Sequence, residues 1–302
     1  MTSTFKLLVV GNSGQVARSM SQAPPPKDWS IISMGRPALD ILQPDKINAV
    51  LDRELPDVIV NAAAYTAVDE AETHEASARR LNATAAIDLA RLSAVRNIPI
   101  IHISTDYVFD GSKNGSYNED DAVAPLCVYG QTKLDGEKGV SEANPQHIIL
   151  RTAWVYSPFG SNFVTTMLRM ATTHDELSIV DDQYGNPTSG YDIAAASFKI
   201  AKRLKADGGQ SPYGVYHIAG AGSATWADFA VEIFAASSAL GGPSASVKRI
   251  PSSAYPTPVK RPANSRLDCS KIASEFDVKT QDWRQSVQTC VRTLLETNEG
   301  FS

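Results

Sequence analysis

Five short apolar runs, each followed by a stretch of helical character, place the tightest constraint on how this chain can fold. The runs lie at residues 6–10, 29–34, 57–60, 98–103 and 147–150. Such short runs, rich in Val, Ile and Leu, are typical of strands that are buried on both faces. Strands that alternate with helices form parallel sheets. We therefore predict an α/β fold built on a doubly wound parallel sheet.

The first half of the chain keeps this alternation and the second half loses it. Helices are predicted from the first loop to about residue 20 and at residues 44–51, 67–95 (broken once) and 128–142. Beyond residue 151, helices are predicted at 162–172, 192–205, 226–237 and 282–296, with one strand at 214–218. Residues 235–246, rich in Ala, Ser and Gly, are predicted to be a surface loop, and residues 251–268 to be irregular.

The composition argues against several classes of partner. The chain of 302 residues has a net charge of −5, which gives no general attraction for nucleic acid or anionic membranes. No apolar run reaches ~18 residues and no signal-peptide pattern opens the chain, so no membrane segment is predicted. Cys127, Cys269 and Cys290 show neither metal spacing nor a paired framework, and the five histidines are scattered singly. We expect a cytoplasmic protein without a metal site.

A glycine-containing loop joins the first apolar run to the first helix. Its glycines allow a sharp turn and a close approach of backbone amides to a pyrophosphate, which the N-terminus of the following helix also attracts. The pattern Gly-x-x-Gly-x-x-Ala, ending at Ala17, departs from the Gly-x-Gly-x-x-Gly of dinucleotide sites. The predicted cofactor-binding residues of this loop are Gly11, Asn12, Ser13, Gly14, Gln15 and Val16. The alternative is a strand–helix turn that holds no ligand.

The end of the second apolar run bears on the choice of cofactor. An acidic residue there would bind the ribose 2′-hydroxyl of NADH. This chain has Arg36 instead, whose guanidinium suits a 2′-phosphate. We therefore predict NADPH as the favoured cofactor and leave NADH open, with Asp40 and Ile41 bordering the adenine. The alternative is that Arg36 is a surface residue without a ligand.

Tyr129 and Lys133 lie four residues apart and share one face of a predicted helix. An ammonium beside a phenol lowers the pKa of the phenol, which gives a proton donor and acceptor usable near neutral pH. Ser104 and Thr105 end the preceding strand, where a hydroxyl group can hold the carbonyl that is reduced. Together with a nucleotide-binding loop, this set indicates hydride transfer. On its own, a Tyr–Lys pair at this spacing is more often a solvated helix face, so the interpretation depends on the order of the motifs and their context.

Seven motifs extend over nearly the whole chain. Four are the glycine loop and residues 61–69 (Asn-Ala-Ala-Ala-Tyr-Thr-Ala-Val-Asp), 104–109 (Ser-Thr-Asp-Tyr-Val-Phe) and 129–133 (Tyr-Gly-Gln-Thr-Lys). Three more specific ones are 151–156 (Arg-Thr-Ala-Trp-Val-Tyr), 182–188 (Asp-Gln-Tyr-Gly-Asn-Pro-Thr) and 255–258 (Tyr-Pro-Thr-Pro) with 261–267. The set resembles the extended short-chain dehydrogenases and, within them, the dTDP-4-dehydrorhamnose reductases.

The resemblance implies two domains and one reaction. An NADPH-binding Rossmann domain would take residues 1–155, with a return segment at about 188–220, and residues 156–302 would mainly form a smaller α/β domain for the dTDP-sugar. The reaction would reduce the C4 keto group of dTDP-4-dehydro-L-rhamnose to give dTDP-L-rhamnose, the last step of dTDP-rhamnose biosynthesis. By this likeness Tyr129 protonates the C4 alkoxide, Thr105 hydrogen-bonds the C4 oxygen and Lys133 binds the nicotinamide ribose.

The resemblance also implies binding residues outside the catalytic trio. Ala62, Ala63, Ala64 and Tyr65 would lie against the cofactor, and Thr66, Asp106, Tyr107, Trp154 and Arg261 would contact the substrate. The indole of Trp154 offers a flat apolar face that suits a deoxysugar, and the alternative is a core tryptophan. Lys260, Arg261 and Arg266 are candidates for the diphosphate, and the alternative is a solvated basic loop.

Two departures from related enzymes narrow this expectation. Nucleotide-sugar dehydratases have an Asp-Glu pair after the Ser-Thr, whereas this chain has Asp106-Tyr107, so dehydration is not expected. Some reductases of this type dimerise through Mg²⁺ held by acidic residues, one of which lies shortly after the glycine loop, where this chain has Arg18-Ser19. A Mg²⁺ site is therefore not carried over, and monomer and homodimer both remain open.

Two alternative functions remain at this point. One is a non-catalytic regulatory subunit of the methionine adenosyltransferase type, which resembles these reductases in fold. The other is an epimerase or dehydratase on the same scaffold. An epimerase holds NAD⁺ tightly, and the absence of an acid after Ser33 argues against that cofactor.

Overall fold

The computed structural model of the protein describes residues 4–297. Its strands are β1 (Phe5–Val10), β2 (Trp29–Met34), β3 (Val58–Asn61), β4 (Ile100–Thr105), β5 (His147–Thr152), β6 (Val155–Tyr156), β7 (Glu176–Val180), β8 (Tyr184–Gly185), β9 (Thr188–Ser189), β10 (Gly214–His217), β11 (Ala224–Thr225) and β12 (Ser246–Ile250). Its α-helices are α1 (Gln15–Gln22), α2 (Pro44–Glu54), α3 (Val68–Ala71), α4 (Glu75–Arg79), α5 (Ala85–Ala94), α6 (Val128–Ala143), α7 (Phe163–Met170), α8 (Gly190–Ala206), α9 (Trp226–Ser238), α10 (Ser270–Phe276) and α11 (Trp283–Thr297). A π-helical turn, Arg80–Thr84, joins α4 to α5, and short 3₁₀ turns lie at Asp106–Val108 and Ser252–Ala254.

Six parallel strands form the central sheet, in the order β10-β5-β4-β3-β1-β2. The strand order reverses at β1, which has β2 on one side and β3 on the other. In open parallel sheets, ligands bind outside the carboxyl ends of the strands at such a switch point. Val10 pairs with Asn61 and Thr105 pairs with Thr152, so the loops that follow these strands lie along one edge. The prediction of a doubly wound parallel sheet is confirmed.

Helices cover both faces of this sheet because its strands are apolar on both sides. Leu7 and Val9 of β1 enter one core with α1, α8 and α10. Leu8 and Val10 enter the opposite core with α2 and α5. Alternate residues of one strand thus serve opposite cores, as the two-residue period of a strand requires.

A separate apolar core lies beyond β5. It is built by α7, α9, α11 and the parallel β7–β12 pair, and Tyr156, Phe229 and Trp283 are buried within it. From this region the chain returns to the central sheet, since α8 packs against α1 and β10 pairs with β5. The chain therefore leaves the sheet for the second core at the carboxyl end of β5.

Several segments differ from the sequence-based predictions. Residues 67–95 form two short helices, a π turn and α5 rather than one helix broken once, because Thr73 and His74 hydrogen-bond back to the carbonyl of Glu70. The β7–β12 pair and α10 were not predicted, since the two strands bury few of their residues and carry no continuous apolar run. The loop predicted at 235–246 is shorter, because α9 continues to Ser238 and β12 begins at Ser246.

Candidate active site

A continuous groove runs over the carboxyl edge of the central sheet. It consists of two adjoining cavities of about 430 and 510 Å³ that share the lining residues Ser13, Gly14, Ala62 and Ala64. The first cavity extends towards Arg36 at the end of β2. The second extends over β4 and β5 to Trp154. The groove thus spans the switch point of the sheet.

The predicted glycine loop lines the groove along its whole length from Gly11 to Val16. Gly11 has φ +118°, a backbone conformation that favours glycine. Gly14 is the N-cap residue of α1, and a Cβ placed there would meet nothing within 4 Å, so its backbone faces open space. In the part of the chain that the structure describes, no side chain caps the N-terminus of α1. Its first amides are therefore available to an anion.

The far end of the groove contains the three residues predicted near the adenosine. Arg36 is exposed and lines the cavity together with Asp40 and Ile41. The Asp40 carboxylate accepts hydrogen bonds from Leu42 N at 3.0 Å and Gln43 Nε2 at 3.1 Å. Asp40 thus holds its own turn, while the guanidinium of Arg36 lies at the mouth of the groove.

The small residues after β3 lie between the two cavities. Ala62 and Ala64 line both, Ala63 lines the first, and Thr66 lines the second. Tyr65 is the exception, because it packs into a small apolar cluster with Ala71 rather than lining the groove. Its backbone is held at both ends: Tyr65 N donates to Asn82 Oδ1 at 2.8 Å, and Asn82 Nδ2 donates to Tyr65 O at 3.1 Å.

The predicted catalytic residues meet at the floor of the second cavity. Tyr129 lies in the first turn of α6, and its phenol lies beside the side chain of Thr105 at the end of β4. The turn approaches the chain after β4 very closely, since a Cβ at Gly130 would lie 2.2 Å from the carbonyl oxygen of Tyr107. The glycine in Tyr-Gly-Gln-Thr-Lys is therefore what lets α6 bring its tyrosine to the end of β4.

The pKa of Tyr129 differs from the expectation drawn from the sequence. Burial raises the pKa of this phenol above its ordinary value, and the neighbouring Thr105 hydroxyl only partly opposes that effect. The predicted lowering by Lys133 is therefore wrong for this structure. Lys133 Nζ donates to the carbonyl oxygen of Ile103 at 2.7 Å, and within the described structure burial outweighs the neighbouring groups in setting the pKa of Tyr129. Tyr129 consequently keeps its proton at neutral pH.

Lys133 is fully enclosed yet lines the groove. Burial lowers the pKa of its ammonium to about 8, against an opposing effect of Glu137. Besides Ile103 O, its Nζ lies 3.4 Å from His102 Nε2. Burial, and next the charge of Lys133, hold the pKa of His102 well below its ordinary range, so that this imidazole is neutral.

Two further predicted residues follow Thr105 directly. Asp106 is buried, accepts a hydrogen bond from Thr105 Oγ1 at 3.0 Å, and leaves its Oδ2 without a hydrogen-bond partner of good geometry. Burial raises the pKa of Asp106 to about 6, although the hydroxyls of Ser265 and Thr105 oppose this. Tyr107 lines the groove and lies edge-on to the Tyr129 ring at 5.5 Å.

Trp154 stands where the chain leaves β5, with a left-handed φ of +46° that non-glycine residues rarely adopt. Its indole lines the groove and is stacked on Trp226, with ring centroids 3.6 Å apart. Through Trp226 it joins an aromatic stack that includes Phe163 and Phe229. Trp154 therefore faces the groove and also packs against the second core.

Arg261 lies outside the groove, in a neighbouring cavity of about 300 Å³ whose other lining residues include Phe163, Trp226 and Tyr255. Its NH2 lies 3.4 Å from Asp69 Oδ2, and its Nε is buried without a hydrogen-bond partner among residues 4–297. Arg266 is held elsewhere, by Asn264 Oδ1 at 2.7 Å and Asn114 O at 2.6 Å. The structure thus separates these two candidates for the diphosphate.

Several residues that bear on the site were not singled out from the sequence. They are Asn82, His102, Thr152 and Trp226. His102 is a polar residue inside an otherwise apolar segment, which is a signal of a buried hydrogen-bonded role, whereas Asn82 stands between Arg80 and Thr84 and carries no such signal. Trp226 opens a helix far along the chain, and nothing local to it indicates that it stacks on Trp154.

Within residues 4–297, no group of three or more His, Cys, Asp or Glu side chains is arranged to hold a metal ion. No helix of the described segment is long and apolar enough to cross a lipid bilayer. Cys127, Cys269 and Cys290 are free thiols.

The doubly wound sheet, the groove over its carboxyl edge and the Thr105–Tyr129–Lys133 set define an extended short-chain dehydrogenase. Within that class, the chain belongs to the family described as the RmlD substrate binding domain, whose model matches residues 5–296. It is 43% identical over 292 residues to a dTDP-4-dehydrorhamnose reductase of Sinorhizobium fredii, covering 96% of this chain and 98% of the relative. It is 37% identical over 302 residues to the reductase of that name from Escherichia coli K12, covering 97% and 99%.

Solved structures agree with this placement. The crystal structure of a dTDP-4-dehydrorhamnose reductase from Clostridium acetobutylicum superposes with a TM-score of 0.88 at 35% identity, covering 96% of this chain and 100% of that one. The Bacillus anthracis dTDP-4-dehydrorhamnose reductase, in complex with NADP, gives 0.88 at 29% identity and covers 96% and 99%. A UDP-glucose 4-epimerase from Brucella ovis, at 16% identity over 96% and 98% of the two chains with a TM-score of 0.79, shares the fold alone.

Proposed function

We propose that the protein is an NADPH-dependent reductase that converts dTDP-4-dehydro-L-rhamnose to dTDP-L-rhamnose, the last step of dTDP-rhamnose biosynthesis. The observation that carries the proposal is that Thr105, Tyr129 and Lys133 together line the floor of a nucleotide-sized groove. This set occurs in a chain that matches relatives named for this reaction over 96% of its length. A regulatory subunit would need no such set, and a dehydratase would need a glutamate where Tyr107 stands.

The cofactor and the sugar nucleotide are assigned to different parts of the chain. We assign NADPH to residues 1–155 with the return segment 188–220, and the dTDP-sugar mainly to residues 156–302. Supporting this division, α8 packs on α1 and β10 extends the central sheet, whereas α7, α9 and α11 form a core of their own.

The shape of the groove fits a dinucleotide. Open space at Gly14, an uncapped first turn of α1 and a floor of alanines leave room for a pyrophosphate and its riboses. Arg36 is exposed and lines the same end of the groove as Asp40, so we assign its guanidinium to the 2′-phosphate of the adenosine. The Bacillus anthracis relative in complex with NADP supports the same cofactor. When bound, NADPH supplies the hydride.

The chain's own residues supply the proton and hold the carbonyl. When the substrate is bound, the Thr105 hydroxyl turns its proton from Asp106 Oδ1 to the C4 oxygen and so fixes the reacting group against Tyr129. Because burial raises its pKa, Tyr129 is present as the phenol, which is the form that a proton donor needs. It protonates the C4 oxygen as charge develops there. Lys133 binds the nicotinamide ribose from the floor of the groove.

The remaining polar and aromatic groups suit a sugar nucleotide. Asp106 and Tyr107 lie beside the catalytic pair and bind sugar hydroxyls, Thr66 lies near the nicotinamide end, and Trp154 packs against the deoxysugar. The thymine occupies the aromatic cavity next to Trp226, where Arg261 faces the diphosphate.

The decisive experiment is a reduction assay with enzymically made dTDP-4-dehydro-L-rhamnose. The expected result is loss of NADPH absorbance with formation of dTDP-L-rhamnose, abolished in Tyr129→Phe. Protein that leaves NADPH unchanged with this sugar, or that purifies with tightly bound NAD⁺, would refute the assignment.

A further inference from the structure

Three buried polar side chains form a row beneath the groove. Asn61 ends β3, His102 lies opposite it in β4, and Lys133 reaches towards both from α6. Asn61 Nδ2 lies 3.1 Å from His102 Nδ1, and His102 Nε2 lies 3.4 Å from Lys133 Nζ. All three side chains are almost completely buried. In such surroundings each hydrogen bond must match a donor to an acceptor.

The orientation of the Asn61 amide is set by the backbone. Ala63 N donates to Asn61 Oδ1 at 3.2 Å, which turns the NH2 group of Asn61 towards His102. His102 Nδ1 must therefore accept. A neutral imidazole that accepts at Nδ1 carries its proton on Nε2, where it can only donate.

The Nε2–H group of His102 faces Lys133, and only an unprotonated amine can accept its hydrogen bond. An ammonium at this position sets two donors against each other. The row is thus matched for neutral Lys133 and mismatched by one hydrogen bond for charged Lys133. A mismatch of this kind in a buried row disfavours the charged form.

We propose that His102, oriented by Asn61, is a positioning residue that holds the amino group of Lys133 at the floor of the groove and favours its neutral form. The ammonium of Lys133 then gives up its proton more readily than a surface lysine does. The burial of Lys133 acts in the same direction.

The other ionisable groups around Lys133 do not produce this effect. Glu137, one turn further along α6, favours the ammonium, and it is itself paired with Arg151 of β5 at 2.7 Å. The phenol of Tyr129 is uncharged at neutral pH. His102 is therefore the group whose hydrogen bonding opposes the charge on Lys133.

The proposal is tested first on the full-length protein without substitutions. Nitrogen NMR of ¹⁵N-histidine protein reports the tautomer of His102, and we expect the proton on Nε2. Carbon NMR of ¹³C-lysine protein, with the Lys133 signal identified through Lys133→Arg, reports its titration. We expect Lys133 to titrate at least one pH unit below the exposed lysines. A proton on Nδ1, or titration together with the exposed lysines, overturns the proposal.

Substitution of the imidazole then separates its effect from burial. In His102→Gln the amide oxygen can accept from the ammonium, so the Lys133 titration should move up by about one pH unit. His147→Gln is the matched control, because His147 begins the neighbouring strand and bonds Asn144 O rather than Lys133. An unchanged Lys133 titration in folded His102→Gln contradicts the proposal. If this variant does not fold, the measurements on the unsubstituted protein still decide.

The catalytic consequence rests on the proposed reductase function, whereas the titration does not. If Lys133 must be charged to bind the cofactor, kcat/KM falls as pH rises through its pKa, and in His102→Gln this fall should move to higher pH by the same shift. A protein that shows the expected titration but no reductase activity would refute the function and leave the role of His102 intact.

Discussion

The two halves of the groove are built in different ways. The half assigned to the cofactor consists of backbone, glycine and alanine: Gly11, Gly14 and Ala62 leave space and present amides. The half assigned to the sugar consists of large side chains from distant segments, such as Trp154 stacked on Trp226. One half binds through its shape and its amides, and the other through positioned side chains. Variants in the two halves should therefore separate cofactor affinity from substrate affinity.

The largest effect is expected at the junction of the two halves. Tyr129→Phe keeps the ring and its packing and removes only the hydroxyl. Turnover should fall by at least ~10²-fold, because the C4 oxygen loses its proton donor. Steady-state kinetics measures this fall, and fluorescence titration should show NADPH binding retained.

Thr105→Val is the graded control for that variant. It removes one hydrogen bond to the carbonyl and no proton, so its loss of turnover should be smaller. A Tyr129→Phe enzyme with near wild-type turnover would contradict the mechanism. A larger loss of turnover in Thr105→Val than in Tyr129→Phe would show that the hydrogen bond to the carbonyl contributes more to catalysis than the proton donor does.

In the sugar half, Asp106 should lower the stability of the fold at neutral pH. Its pKa is raised by burial from the ordinary 3.8 to about 6, so the folded state takes up a proton before the unfolded chain does as pH falls. Stability from this group is therefore gained as pH drops from about 6 to 4 and lost as pH rises. Asp106→Asn should stabilise the protein at pH 8 by on the order of 3 kcal/mol, and the gain should disappear near pH 4.

Thermal unfolding at several pH values checks this effect, with Asp110→Asn as the control of opposite sign. Hydrogen bonds from Ser112 lower the pKa of Asp110, so its loss should destabilise the protein at neutral pH. If Asp106→Asn destabilises the protein at pH 8, the prediction is wrong: hydrogen bonds to the Asp106 carboxylate then stabilise the fold by more than the burial of its charge costs.

In the cofactor half, Arg36→Ala should discriminate between the two nicotinamide cofactors. A hydrogen bond to a charged group contributes ~1.5–3 kcal/mol, so NADPH affinity should fall by about 10- to 100-fold with little change for NADH. Dissociation constants for both cofactors give the answer, and Arg91→Ala on the outer side of α5 controls for the loss of a positive charge. Equal effects on the two cofactors would exclude the contact with the 2′-phosphate.

The smallest effect is expected at Trp154. Trp154→Ala should raise KM for the sugar nucleotide by roughly 10-fold, in line with the loss of one aromatic contact, and should leave NADPH affinity nearly unchanged. Kinetics with circular dichroism on the same preparation separates this from unfolding. A variant that merely unfolds would show that Trp154 serves the second core rather than the substrate.

The contrast between the halves also explains what the sequence could predict. The central sheet, the glycine loop and the Tyr129–Lys133 pair are local patterns, and the structure places them on one edge of the sheet. Contacts between distant segments were not predictable, because nothing near Trp226 indicates Trp154 and nothing near Arg261 indicates a separate cavity.

Electrostatic behaviour was harder to predict than position. The spacing of Tyr129 and Lys133 correctly indicated a shared helix face, yet the pKa of the phenol is raised rather than lowered. Burial, which a pair of sequence positions does not reveal, decides the direction of the pKa shift of Tyr129. Burial likewise lowers the pKa of His102, and its contacts with Asn61 and Lys133 could not be predicted from its position in the sequence.

The π turn at Arg80–Thr84 makes the position of Asn82 depend on the number of residues in this segment more than on their types. A π turn contains one residue more than an α-helical turn, so the helix beyond it is rotated by roughly 100° relative to an uninterrupted helix. This extra residue carries Asn82 inward to the backbone of Tyr65 and to Thr132 of α6, at 3.1 Å from its hydroxyl. A deletion of one residue here would bring α4 and α5 into a common phase and turn Asn82 away. Among related chains, gaps should therefore be rarer in this segment than substitutions.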